Sequence, residues 1–237
     1  MKIIAIVAAW EPELQFLLEQ YPPISHKQIG VWTFYQYQNS DIYIISVVSG
    51  VGKVKAACCV QLLISEFKPS EIYMTGICGG LSEEVSGGDI IVAEQSLQHD
   101  VTDANTTIDP RDHYLGRSGV VNSSERLVQM FEIYLGDEYP KVHFGKFVSG
   151  DQRIRDDYMR NKLREDFNAI AVDQEIAAFA HVSYLNNVEF LRLKSVSDKA
   201  NNNTVNDQIE YKKIACSNSC RLLIEFLEYR QRKGLFV

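Results

Sequence analysis

The chain has 237 residues, 46% of them hydrophobic, enough to bury the core of one α/β domain. Its formal net charge of -7, with no basic stripe and no zinc-finger spacing, argues against a nucleic-acid or anionic-membrane surface as the main partner. The five cysteines are odd in number and lack a CxxC, and the five scattered histidines form no Ser-His-Asp or HExxH pattern, so buried thiols are expected and no metal is assigned.

Lys2 to Ala9 is a continuous apolar run, the pattern of a strand covered on both faces. It is too short for a membrane span and has no separate cleavage region, so a cytoplasmic chain is expected. Pro12 sits where helices start, and Glu13 falls in the first turn, where the helix dipole favours an acid whatever its function. Val31 to Gln38 and Ile42 to Val48 read as strands, and a helix is expected from about Val54 to Phe67. Between them lies Ser49-Gly50-Val51-Gly52-Lys53, where two glycines let backbone N–H groups approach a ligand; neither GxxxxGK[ST] nor a full GxGxxG is present.

Glu71 to Thr75 reads as another strand, ending in a second glycine-rich turn from Gly76 to Gly80. Gly87-Gly88-Asp89 leads into a short strand from Ile90 to Ala93. The polar stretch from Gln98 to Gly119 has no period and reads as a long loop, a place where function or an interface is often found. A helix over Ser123 to Tyr134, a strand over Val142 to Val148 ending at Ser149-Gly150-Asp151, and a helix over Tyr158 to Glu165 follow.

The acid-rich turn Asp173-Gln174-Glu175 then opens a helix that ends near Asn186 and Asn187, and Val188 to Val196 reads as a strand with Ser197 and Asp198 just past its end. A helix that hands straight to a strand packs against it in the opposite direction, which brings Glu175 and Asp198 to one rim. Gln208 to Lys233 reads as a long closing helix, and no repeat or linker divides residues 1–237, so one domain is expected. Five strands thus end in a distinctive turn, at Glu13, Gly50, Gly76, Gly150 and Asp198. Ligand sites in α/β sheets form outside the carboxyl ends of strands, so a small-molecule site is expected there.

Taken in order, W-E-P-E, S-G-V-G-K-V, T-G-I-C-G-G, G-G-D-I-I-V, V-S-G-D, V-D-Q-E-I-A-A and S-V-S-D resemble the nucleoside phosphorylase/nucleosidase superfamily. More narrowly, the chain resembles the 5'-methylthioadenosine/S-adenosylhomocysteine nucleosidases, essentially end to end. The resemblance implies a three-layer αβα sandwich around a mixed twisted sheet, a cytoplasmic homodimer, and a role in nucleoside catabolism and methionine salvage. It also implies hydrolysis of an N-glycosidic bond to adenine and a 5-thio-substituted ribose, with no metal and no organic cofactor.

In that reading Asp198 is the general acid at N7 of adenine, Glu13 the base for the attacking water, and Glu175 the acceptor of the ribose hydroxyls. Ser197 helps fix Asp198, the backbone of Ile154 and the Gly79 region hold the base, and Val51 lies near the water. Four positions depart from what the family commonly carries: Ile77 for Ser, Arg153 for an aromatic, Gln174 for Met and Lys194 for Arg. They put the substrate preference, rather than the hydrolytic chemistry, in question.

Three alternatives stand beside this one. A phosphorylase needs several cations around an anion at C1', and an acid at Glu13 repels phosphate. A nucleosidase for another purine nucleoside follows if Arg153 and Gln174 reshape the pocket. A non-catalytic nucleoside-binding protein on the same fold is expected to lose the acid or the base first, and Glu13, Glu175 and Asp198 are all present.

Overall fold

In the computed structural model, which describes residues 2–39, 42–101, 119–136, 139 and 141–236, the alternation of β1 (Lys2–Ala8) sets the layers. Successive side chains of a strand point to opposite faces. Ala5 and Val7 join one apolar cluster with Cys59, Val60 and Leu63 of α2 (Lys53–Phe67) and Phe179 of α5 (Ile176–Leu185). Ile4, Ile6 and Ala8 join another on the opposite face. It contains Leu14 and Leu17 of α1 (Glu11–Gln20), Leu127 and Phe131 of α3 (Glu125–Leu135), and Leu223 and Phe226 of α6 (Thr204–Arg232). Helices therefore cover both faces of one sheet, the expected three-layer αβα arrangement.

Among the described residues the sheet has eleven strands, in the order β2-β3-β4-β1-β5-β11-β6-β10-β9-β7-β8. The strands not yet located are β2 (Ser25–Ile29), β3 (Trp32–Asn39), β4 (Ile42–Val48), β5 (Glu71–Met74), β6 (Ile77–Gly80), β7 (Ile90–Gln98), β8 (Val121–Asn122), β9 (Val142–Ser149), β10 (Ala171–Asp173) and β11 (Glu189–Asp198). β4, β1, β5 and β11 run parallel, so their C-terminal ends share one edge. β11 also pairs antiparallel with β7, which closes β11, β6, β10, β9 and β7 into a ring. The ring brings the ends of β9 and β10 round to the same place. α4 (Asp157–Phe167) is capped by Asp156, whose carboxylate accepts from the Met159 amide at 2.8 Å.

Two readings of the sequence are corrected. Gly76 to Gly80 was expected as a turn, but Ile77–Gly80 is a strand. Its glycines serve close packing: a Cβ on Gly80 would lie 2.8 Å from Val85, and one on Gly79 would lie 3.0 Å from Ala200. Ser197 and Asp198 belong to β11 rather than to the turn beyond it, because pairing with β6 continues to Asp198 opposite Gly79. The loop expected over Gln98 to Gly119 falls mostly on residues 102–118, outside those described. Among the described residues no helix is long and apolar enough to cross a membrane.

Candidate active site

Glu13 is placed by the turn from β1 into α1. Its Oε2 accepts from the backbone N–H groups of Ala9 and Trp10, each at 2.8 Å, and its Oε1 accepts from Ile77 N–H at 2.9 Å. The third contact needs the link from β5 (Glu71–Met74) to β6 (Ile77–Gly80) to pass very close. Gly76 provides this, with φ of +153° and no side chain; a Cβ there would stand 2.7 Å from Oε1. Burial pushes the Glu13 pKa above its ordinary value and the charge of Glu175 adds to the rise, against Lys194 and the amides of Ile77 and Trp10. A carboxyl tuned upward in a cleft suits a general base.

Glu175 stands at the start of α5. Its Oε1 accepts from the Gly52 amide at 2.9 Å, and Gly52 reaches this position with φ of +105°. The Gly52 amide, expected to approach a ligand, is bonded to this carboxylate instead. The Oε2 of Glu175 accepts from Lys194 Nζ at 2.9 Å, and the same ammonium lies 2.7 Å from Asp173 Oδ2. Lys194 is 1% exposed. Desolvation works against its charge, but Asp173, Glu175 and Glu13 around it raise its pKa well above the usual lysine value. Asp173 also accepts from the Ser149 hydroxyl and from the Ile176 amide, so it joins β9, β10 and α5 at one point.

Asp198 ends β11 and is only 5% exposed. Its Oδ1 accepts from Ala200 N–H at 2.9 Å and from the Thr204 hydroxyl at 3.4 Å. Its Oδ2 faces the Ser197 hydroxyl at 2.9 Å and the Gln208 side-chain amide at 2.6 Å. The Ser197 hydroxyl also lies 3.2 Å from the Cys78 carbonyl, so its single proton serves one acceptor at a time.

Glu13, Glu175 and Asp198 all line one cavity of about 240 Å³. Of the other residues expected in the site, Val51, Ile77, Gly79, Arg153, Ile154, Gln174 and Ser197 also line it. Lys194 is not on its wall; it lies behind Glu175 and Asp173, so any effect on a ligand passes through those carboxylates. Gln174 lines the cavity while its side-chain amide donates to the Asp151 carbonyl at 3.1 Å.

Four participants escaped the sequence reading. Asp173 was noticed only as part of an acidic turn. Trp10, Gln208 and Lys212 were not assigned at all, although Gln208 and Lys212 are four apart and so share one face of α6. Lys212 holds its ammonium 4.1 Å from the centre of the Trp10 ring. Among the described residues no group of three metal-binding side chains gathers.

The family model described as the phosphorylase superfamily matches residues 3–228. A 5'-methylthioadenosine/S-adenosylhomocysteine nucleosidase of Staphylococcus aureus is 32% identical over 200 residues, 84% of this chain and 87% of that protein. The S-adenosylhomocysteine nucleosidase of Streptococcus pyogenes, solved with 5-methylthiotubericidin, superposes with a TM-score of 0.87 at 27% identity, over 96% of this chain and 97% of that one. The 5'-methylthioadenosine/S-adenosylhomocysteine nucleosidase of Neisseria meningitidis, solved with methylthio-immucillin-A, gives 0.89 at 25% identity, over 97% and 100%.

Proposed function

Because this chain belongs to the phosphorylase superfamily and, within it, to the 5'-methylthioadenosine/S-adenosylhomocysteine nucleosidases, we propose that it hydrolyses the N-glycosidic bond of those nucleosides. The products are adenine and the 5-thio-substituted ribose. The observation that carries this reading is the convergence of three buried carboxyl groups, Glu13, Glu175 and Asp198, on one cavity.

Breaking C1'–N9 leaves negative charge on the departing base and positive charge on the ribosyl ring. Asp198 brings a proton to N7, so that adenine leaves neutral. Glu13 takes a proton from the water that attacks C1', and its three backbone contacts hold it in position for that transfer. Glu175 accepts the ribose hydroxyls and lends negative charge beside the developing oxocarbenium. Lys194 acts through Glu175, keeping that carboxylate oriented. Ile154, Gly79 and Val172 enclose the base, Arg153 flanks it, Gln174 borders the sugar, Ile77 and Val51 flank the water, and Ser197 steadies Asp198.

Phosphorolysis is disfavoured by the same geometry. A phosphate at C1' would meet Glu13, and the nearby buried cation, Lys194, is already paired with Asp173 and Glu175. The exposed apolar side chains of Val51 and Val54, beside the cavity at the start of α2, support a homodimer in which a second copy covers this rim. Residues 1–237 act as one catalytic unit in the cytoplasm, in nucleoside catabolism and methionine salvage. The reading is tested by adenine release from 5'-methylthioadenosine and S-adenosylhomocysteine by the wild type and Asp198→Asn. Release by the wild type and loss in the variant are expected. Binding without release by the wild type would make the chain a nucleoside-binding protein instead.

A further inference from the structure

The cavity has one wall that the chemistry leaves unused. Asp198, Gly79, Ile154 and Val172 form the base end, Glu175 and Gln174 the sugar side, and Glu13 and Ile77 the water side. A further wall carries Trp10 and Lys212, with Gln208 beside them donating to Asp198. These three residues also line a second cavity of about 510 Å³, which continues outward between α1 and α6 past Gln15, Glu19 and Lys213. The two cavities thus meet at the Trp10–Lys212 pair.

Lys212 is half-buried and forms no ion pair with a carboxylate among the described residues; the contact that holds it is the face of Trp10. The ammonium itself faces the ring, and its protons turned away from the ring remain free to donate. Beside it, the Gln208 amide is directed to Asp198. Glu19, the acid on the outer groove, is hydrogen-bonded to Gln15. On this side of the catalytic cavity Lys212 is therefore a cation with no carboxylate ion pair among the described residues, and Lys213 stands farther out along the groove.

Resting on the nucleosidase reading above, we propose that Lys212, stacked on Trp10, determines specificity at the 5' end. It selects purine nucleosides whose 5' substituent is long and ends in a carboxylate over those with a neutral chain of the same length. The base, the sugar and the water are all engaged elsewhere, so the 5' arm is the part of the substrate left to occupy this passage. A carboxylate there gains a charge-assisted hydrogen bond in a partly desolvated channel, whereas an alkyl chain must lie against an ammonium that has lost part of its hydration.

The test compares two probes of equal length, 5'-(3-carboxypropylthio)adenosine and 5'-butylthioadenosine, by kcat/KM for adenine release. The wild type is expected to favour the acid at least tenfold, mainly through KM, and the preference should shrink as salt is raised. Lys212→Met, which keeps an unbranched side chain of similar length, should bring the ratio near one. Lys212→Glu should reverse it, and Lys212→Arg should keep it. No preference in the wild type, or a preference that survives Lys212→Met, would overturn the proposal while leaving the hydrolase reading intact. Release of adenine from neither probe nor from 5'-methylthioadenosine would instead remove the hydrolase reading. Should Lys212→Met fail to fold, the ratios in Lys212→Glu and Lys212→Arg decide: an unchanged preference in Lys212→Glu overturns the proposal.

Discussion

The ammonium of Lys194 lies 2.9 Å from Glu175 Oε2 in a place where neither group meets bulk water. The pair is completed by Asp173, so two carboxylates share one cation in the interior. Removing one partner from such a group leaves uncompensated buried charge, which costs about 3–5 kcal/mol. Lys194→Met is therefore expected to lower the melting temperature by roughly 10 °C in a chain of this size. It should also raise KM, because Glu175 loses its orientation. A melting temperature within 2 °C of the wild type would mean that the carboxylates are neutralised by some other route.

Glu13 yields a pH prediction. Burial raises its pKa, so the base form appears only above the ordinary 4.5 of a glutamate. The acid limb of kcat/KM is expected to lie above that value, and Glu13→Gln should lose turnover across the whole range while still binding a substrate analogue. For stability the sign is the reverse of the usual carboxylate case. The folded chain binds this proton more tightly than the unfolded chain, so the residue's contribution falls as pH rises from 4.5 through the folded pKa. The stability difference between Glu13→Gln and wild type should accordingly shift in favour of the variant on going from pH 4.5 to pH 8. A shift in the opposite direction, read from urea midpoints, would show that its hydrogen bonds outweigh its burial.

Gly76→Ala is the smallest change that reaches the base. The new methyl would stand 2.7 Å from Glu13 Oε1, on a backbone at φ +153° that side chains rarely adopt. Displacing a catalytic group by about 1 Å costs on the order of 100-fold in rate. Such a loss in kcat, with a smaller change in KM, is the expected outcome. Unchanged kcat would detach Glu13 from the water.

Gln208 offers a positioning test on Asp198. Asp198 becomes a carboxylate as it gives up its proton, and a hydrogen bond to a charged group is worth about 1.5–3 kcal/mol, so Gln208→Leu should lower kcat/KM roughly tenfold or more. Gln208→Glu places a second carboxyl against the first, and two adjacent carboxyls hold one proton between them to higher pH. The basic limb of the pH–rate profile should move upward in that variant. A profile that coincides with wild type would leave Gln208 only a structural part.

Much of this was legible in the chain because turns with a special chemical need stand out locally. An acid just after a buried strand, glycines between a strand and a helix, and an aspartate at a strand end drew attention to Glu13, Gly52 and Asp198 without any contact map. The short strands β6 and β10 did not stand out: they have only 4 and 3 residues, and two of those in β6 are glycines. Lys194 sits in an apolar strand with nothing nearby in sequence to mark its partners, since Asp173 and Glu175 lie on the other side of α5. Gln208 and Lys212 look like the solvated face of a long helix until the fold turns that face onto Trp10. Long-range pairing decided these cases, and local pattern carries no trace of it.

The measurement closest to the central claim is the identity of the sugar released from 5'-methylthioadenosine in phosphate buffer. A hydrolase with Glu13 directing water at C1' should yield free 5-methylthioribose, at a rate that does not depend on phosphate. Formation of 5-methylthioribose 1-phosphate, with release of adenine that stops when phosphate is withheld, would contradict the account.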